Sequence, residues 1–269
     1  MKLPSDTTTK IVLASTVALA SVVIGGAAWL LKWFIGLISR TVISGFNYSG
    51  SKWYFILPAL TGIIIVSFLV RKIVKAPLEH ATEQLKEHLK EHNGMIPLKL
   101  GFYSIIMTAL TLGAGGSAGA EGPIAFAGGA IGSNIARLFR LDKDAVMVFM
   151  ACGAGAGIAA IFKSPVGGIF FAIEVLRIQA KAGPLLMLGA MCVIADLTEL
   201  ALTDFTPDIT PPGGAIIFEW HMLLPALLLG IAGGAYSAYY RRTGSITRKW
   251  LEKMRRPIMR NVSSGLAIG

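Results

Sequence analysis

Long apolar runs dominate this chain, and they are divided by short clusters of charge or by glycine and proline. Residues 11–38 carry a single charge, Lys32, and exceed the roughly 20 residues that cross a bilayer as a helix. The pattern predicts a helix over 11–43, long enough that it must tilt, and no small-residue cleavage site marks it as a signal peptide. A polar turn at 44–52, with Asn47, Ser49 and Gly50, separates it from an apolar segment at 53–74. Residues 76–97 then change character. From Glu79 to His92 the chain is densely charged, and Leu78, Leu85 and Leu89 recur near helical spacing, predicting a polar surface helix with a narrow apolar stripe. After Pro97 the apolar segments are 98–112, 123–139, 144–162, 165–178, 184–203 and 220–240. Several are too short for a full crossing. Short apolar segments interrupted by glycine and proline mark proteins that bind a solute at mid-depth in the membrane.

Composition agrees: 54% of the residues are hydrophobic and 15% are charged. The fold class is therefore all-α and polytopic. The net charge of +10 does not indicate nucleic acid, because the basic residues gather at the ends of apolar spans. Arg71, Lys72 and Lys75 end one span and Arg137, Arg140 and Lys143 another, while Arg241, Arg242, Arg248, Lys249, Lys253, Arg255, Arg256 and Arg260 cluster late in the chain. This bias places the N-terminus and 241–262 in the cytoplasm. The loop 203–219, with Asp204, Asp208 and Glu219 and no Lys or Arg, falls on the outside. Trp53 and Tyr54 suit an interfacial belt. Cys152 and Cys192 lie in apolar segments and read as small hydrophobes. His80, His88 and His92 belong to the charged helix and lack a third metal ligand; no metal and no cofactor is expected.

The chemistry concentrates in the breaks. Residues 113–122 are almost all glycine, alanine and serine, and Glu121 is their one charge. Gly122 and Pro123 read as a cap and a first helical residue. A helix that starts inside a bilayer turns unpaired N–H groups and a partial positive charge into a space of low dielectric. Such an end attracts anions. The backbone of Gly119, Ala120, Gly122, Ile124 and Ala125 is the candidate anion contact, and Glu121 is a tethered competitor for it. A second break stands at Lys163-Ser164-Pro165, with Ser164 as N-cap and Pro165 at the first helical position. Two other functions compete. Gly115-Gly-Ser117-Ala-Gly119 matches the nucleophile-elbow pattern, and His221 could serve as its base in an intramembrane serine hydrolase. The motif lacks a strand before it. An ion-coupled secondary transporter of a larger anion would need a cationic clamp, and the break contains no arginine.

These residues resemble the CLC family of chloride channels and chloride/proton exchangers. Gly116-Ser-Ala-Gly-Ala-Glu-Gly-Pro123 resembles the family's G-[KR]-E-G-P motif, and the run from Ala151 to Val175 is similar to its small-residue segment followed by Pro, Gly and an acidic ending. The resemblance implies a CLC-like fold of tilted and broken helices, with residues 1–240 as the first of two inverted repeats. Residues 241–269 would be a basic cytoplasmic loop and the start of a second repeat, making the chain an incomplete product of its gene. It also implies a voltage- or pH-gated chloride channel or transporter subunit in a prokaryotic-type plasma membrane, with Glu121 as gating glutamate. Its partners would be the lipid bilayer, small anions and a second copy in a homodimer. The chain departs from the family pattern in three places. Ala120 replaces the basic residue before the glutamate, Lys75-Ala-Pro-Leu-Glu-His80 replaces the serine motif G-S-G-I-P, and Val175 stands where exchangers carry a proton-transfer glutamate. Glu174 is the neighbouring candidate for a proton pathway, about 100° away round the helix.

Overall fold

A computed structural model describes residues 7–44, 56–70, 72, 81–178, 181–204 and 219–252. The expected turn at 44–52 apart from Ser44, which is helical, the Lys75–His80 segment, most of the 203–219 loop and the end of the chain beyond 252 lie outside the described residues. All regular structure among the described residues is helical. The helices are α1 (Thr7–Ser44), α2 (Ile56–Leu69), α3 (Ala81–Glu91), α4 (Leu98–Gly113), α5 (Glu121–Leu138), α6 (Lys143–Phe162), α7 (Pro165–Leu176), α8 (Ala182–Leu202) and α9 (Leu223–Glu252). Four apolar stretches, Lys10–Val42, Lys143–Phe162, Ala182–Leu202 and Trp220–Ile246, are long enough to cross a membrane. Residues 1–206 and 207–269 form two separate units.

The first unit is built around α6, which packs against α1, α5, α7 and α8. Its sequence is apolar on every side, which suits a helix enclosed by other helices or by lipid, and here other helices enclose it. Phe149, Met150, Cys152 and Ala154 are fully buried. The helix starts where Asp142 accepts a hydrogen bond from Ala145 N at 3.0 Å, and it ends at Lys163 in the left-handed region, φ 51°.

Small residues set how closely the helices approach. A Cβ on Gly128 would fall on the Gly153 carbonyl oxygen, and one on Gly153 would fall on the Gly128 carbonyl oxygen. Gly132 stands in the same relation to Phe149 O, and Gly157 to Ile124 O. The three pairs share one register, so α5 and α6 run antiparallel along a seam of backbone on backbone. Gly155 and Gly168 make the corresponding seam between α6 and α7, and Gly25 seats α1 on Ala195 and Thr198 of α8.

The charged helix α3 is shorter than the polar segment that contains it, and it is docked. Leu85 is fully buried and reaches Gly129 of α5. The His88 ring stands edge-on to Phe126 at 5.9 Å and stacks on His92 at 5.0 Å. Its Nδ1 donates to Gln84 O at 2.9 Å. The solvated face expected for the histidines therefore gives way, at His88, to a half-buried contact with α5.

The second unit contains a single turn of 3₁₀ helix, Trp220–Met222, running into α9. The apolar run predicts an end near 240, but α9 continues through Arg241 and Arg242 to Glu252. Arginine and lysine are good helix formers, so a change from apolar to basic composition does not stop the helix.

Candidate anion site

The predicted break is present, and its geometry differs from expectation at one point. α4 ends at Gly113, where Ala114 N and Gly116 N bond back to Leu110 O and Thr111 O at 3.1 and 2.8 Å. Gly115 has φ 88°, a conformation that glycine adopts without strain. The chain is then irregular until Ala120, which is already helical at φ −79°, ψ −18° and caps α5 without a side-chain bond. Ile124 N donates to Ala120 O at 3.1 Å, the first bond of the helix. α5 thus begins at Glu121, two residues earlier than the glycine-proline signal indicates. Pro123 is the third helical residue rather than the first, a position that also needs no N–H.

This shift reassigns the donors. The N–H groups of Ala120, Glu121 and Gly122 precede the helical ladder and have no intrahelical acceptor. The Ile124 N–H is engaged with Ala120 O, and Ala125 lies inside α5 with its side chain fully buried. Among the candidate anion contacts, Ile124 thus has its N–H bonded within α5, and Ala125 is buried one residue further along the helix.

Glu121 is exposed, and its carboxylate folds back over Gly119. A Cβ at 119 would overlap Oε1, Cδ and Oε2 of Glu121. Glycine at 119 is thus what allows the carboxylate to lie over the turn before its own helix.

The second break matches expectation residue for residue. Ser164 Oγ accepts from Gly167 N at 3.3 Å, Pro165 is the first residue of α7, and Gly168 N donates to Ser164 O at 3.1 Å. At the other end of α7, Glu174 is exposed, whereas Val175 is partly buried and packs on the core. The two neighbours thus take different faces, as their one-residue offset requires. Ser117 is exposed in the irregular segment. His221 pairs instead with Glu219, Nδ1 to Oε2 at 3.0 Å.

One charged group escaped the sequence-based expectations. Glu199 of α8 is completely buried, with Lys32 Nζ of α1 at 2.9 Å from Oε1 and Lys163 Nζ at 3.9 Å from Oε2. Asp196, one turn earlier, has its Oδ1 buried without a hydrogen-bond partner among the described residues. The available signal was two acids three positions apart in an apolar run, which places both on one helix face.

Comparison with known proteins assigns this architecture. The sequence profile of the voltage gated chloride channel family matches residues 61–269. The H(+)/Cl(-) exchange transporter ClcA of Citrobacter koseri is 31% identical over 246 residues, covering 83% of this chain and 50% of that protein. ClcA of Cronobacter sakazakii is 47% identical over 135 residues, covering 49% of this chain and 29% of its own. A crystallised CLC-type fluoride/proton antiporter superposes with a TM-score of 0.73 at 21% identity, covering 98% of this chain and 65% of that one. A slow cyanobacterial Cl-/H+ antiporter gives the same TM-score at 18% identity, covering 92% and 59%. The chain spans half or less of these curated relatives. Their family comprises channels and transporters rather than enzymes, so the serine-hydrolase alternative is set aside. On the profile match over most of its length, this integral membrane chain belongs to the voltage-gated chloride channel (CLC) family.

Proposed function

We propose that this chain forms one wall of a gated pathway for chloride or a similar small inorganic anion, with Glu121 as the gate. The observation that carries the proposal is the Glu121 carboxylate lying over Gly119, beside the first N–H groups of α5. An anion entering there loses water and gains the N–H groups of Ala120, Glu121 and Gly122, together with the positive end of the helix dipole. A carboxylate on a short tether competes for the same place. Protonation or rotation of Glu121 removes the competitor and opens the path.

The absence of any arginine or lysine from 100–136 favours small anions over carboxylate substrates, which need a cationic clamp. Val175 carries no proton, so a proton route along the end of α7 has Glu174 as its titratable group. Charge placement along the sequence puts the start of α1 and the basic end of α9 on the cytoplasmic side. The family resemblance supports a homodimer with a second inverted repeat completing each pore.

The test is reconstitution of the full-length protein in liposomes loaded with potassium chloride. Chloride leaves faster than from empty vesicles once valinomycin carries the compensating potassium, and gluconate does not replace it. Chloride release at the rate of protein-free vesicles contradicts the proposal.

A further inference from the structure

Helices α1 and α8 run parallel, and their separation changes along their length. In the second half of each they touch, because a Cβ on Gly25 would fall on Ala195 O and on the Thr198 side chain. Toward their starts they part around a cavity of about 630 Å³. Leu13, Ala14 and Val17 line it from α1, and Met187, Ala190 and Ile194 line it from α8. Ala14 and Ala190 are exposed, and side chains this small leave the groove open along its flank. Leu186 on its rim is 72% exposed. Such a surface in a membrane chain favours hydrocarbon over water.

Length and charge narrow the occupant. From Gly183 to Ile194 the groove follows α8 for roughly 16 Å at 1.5 Å per residue. That is close to one leaflet, half of a hydrocarbon core about 30 Å thick. Lys10 lines the groove at the end where both helices begin. Pro184 lines it too, and also lines a second cavity of about 340 Å³ that contains Arg177, Lys181 and Asp144. Three cations and one acid thus line the two cavities, and none of the four is in an ion pair among the described residues. Arg177 is fixed by its backbone as the left-handed cap of α7, φ 54°. The start of α6 borders the second cavity at Asp144 and Met147, directly after Arg137, Arg140 and Lys143. Charge placement assigns this basic end to the cytoplasmic side, where the leaflet surface is negative.

We infer that the two cavities form one binding site for an anionic phospholipid of the cytoplasmic leaflet. One acyl chain lies in the groove between α1 and α8. The phosphate is held where the cavities meet at Pro184, by Arg177 and Lys181 on one side and Lys10 on the other. Asp144 accepts a hydrogen bond from a hydroxylated headgroup such as glycerol. The inference rests on the orientation read from charge and holds whether or not Glu121 is the gate.

The experiment is native mass spectrometry of the full-length protein in detergent, titrated with dioleoyl phosphatidylglycerol or with dioleoyl phosphatidylcholine. Wild type binds phosphatidylglycerol roughly ten-fold more tightly than phosphatidylcholine. Arg177→Gln with Lys181→Gln weakens phosphatidylglycerol binding roughly 25-fold, about five-fold for each charge near the membrane surface. Ala190→Trp fills the groove from an exposed position and weakens both lipids. Lys99→Gln, a lysine that lines a separate cavity, leaves binding unchanged. Equal affinity for the two lipids overturns the inference, as does wild-type binding in either the double glutamine variant or Ala190→Trp. A loss in Lys99→Gln as large as in the double variant would assign the effect to general surface charge, and the inference falls. If Ala190→Trp dissociates an oligomer while lipid binding persists, the groove is a contact between proteins and the inference also falls.

Discussion

Lys32 Nζ sits 2.9 Å from Glu199 Oε1, joining α1 to α8 across 167 positions of sequence. The pair links two helices of the first unit, and Glu199 has no exposure to solvent. Removing one member of such a pair leaves the other charge buried, at a cost of about 3–5 kcal/mol. Glu199→Leu is expected to lose about that much stability by thermal unfolding in detergent. The double variant Lys32→Met with Glu199→Leu recovers only the part of the loss that belongs to Lys32, because Lys163 still loses its contact with Glu199, and additive losses in the cycle would show that Lys32 and Glu199 do not interact.

The glycine seam between α5 and α6 gives a second prediction. Gly128→Ala and Gly153→Ala each place a methyl on the partner's carbonyl oxygen, and overpacking of this kind costs about 1–3 kcal/mol. Gly26→Ala on α1 meets nothing within 4 Å and is neutral or slightly stabilising, because alanine lowers the entropy lost by the backbone. Equal melting temperatures for Gly128→Ala and Gly26→Ala would remove the seam as a determinant of packing.

At the second break, Ser164→Ala removes the acceptor for Gly167 N and costs about 1 kcal/mol, whereas Ser164→Asp keeps it. The comparison of the two melting temperatures is the check. A Ser164→Asp variant as unstable as Ser164→Ala would show that the cap contributes nothing.

What could be read from the sequence was local. Ser164 and Pro165 announce a helix start by their own chemistry, and the structure places them as expected. The apolar segments from 98 to 203 are recovered within two residues or so at most ends, because long hydrophobic runs in sequence become helices directly. The start of α5 moved because proline is tolerated at any of the first helical positions, so Pro123 alone does not locate the first. The end of α9 moved because a switch from apolar to basic residues marks a change of surroundings and not a change of backbone. The pairing of Glu199 was hidden for a different reason. Its partners, Lys32 and Lys163, are isolated charges in distant segments, and only the packing of α1 and α6 on α8 brings them to it.

Gly119 offers a direct probe of where the Glu121 carboxylate rests. A Gly119→Ala methyl overlaps that carboxylate and drives it from the turn without altering its charge. Chloride flux at neutral pH is expected to rise several-fold in liposomes containing the full-length protein. Wild-type flux in Gly119→Ala would mean that this resting place does not block the path.

Gating by Glu121 is tested most directly by the pH dependence of anion flux in Glu121→Gln, a substitution that keeps the shape of the side chain and removes its ionisation. Wild-type protein in liposomes is expected to pass more chloride as acid protonates the carboxylate. Glu121→Gln is expected to pass chloride at a rate that no longer varies with pH and that matches the acid rate of the wild type. A Glu121→Gln profile that rises with acid as steeply as the wild type would contradict the account.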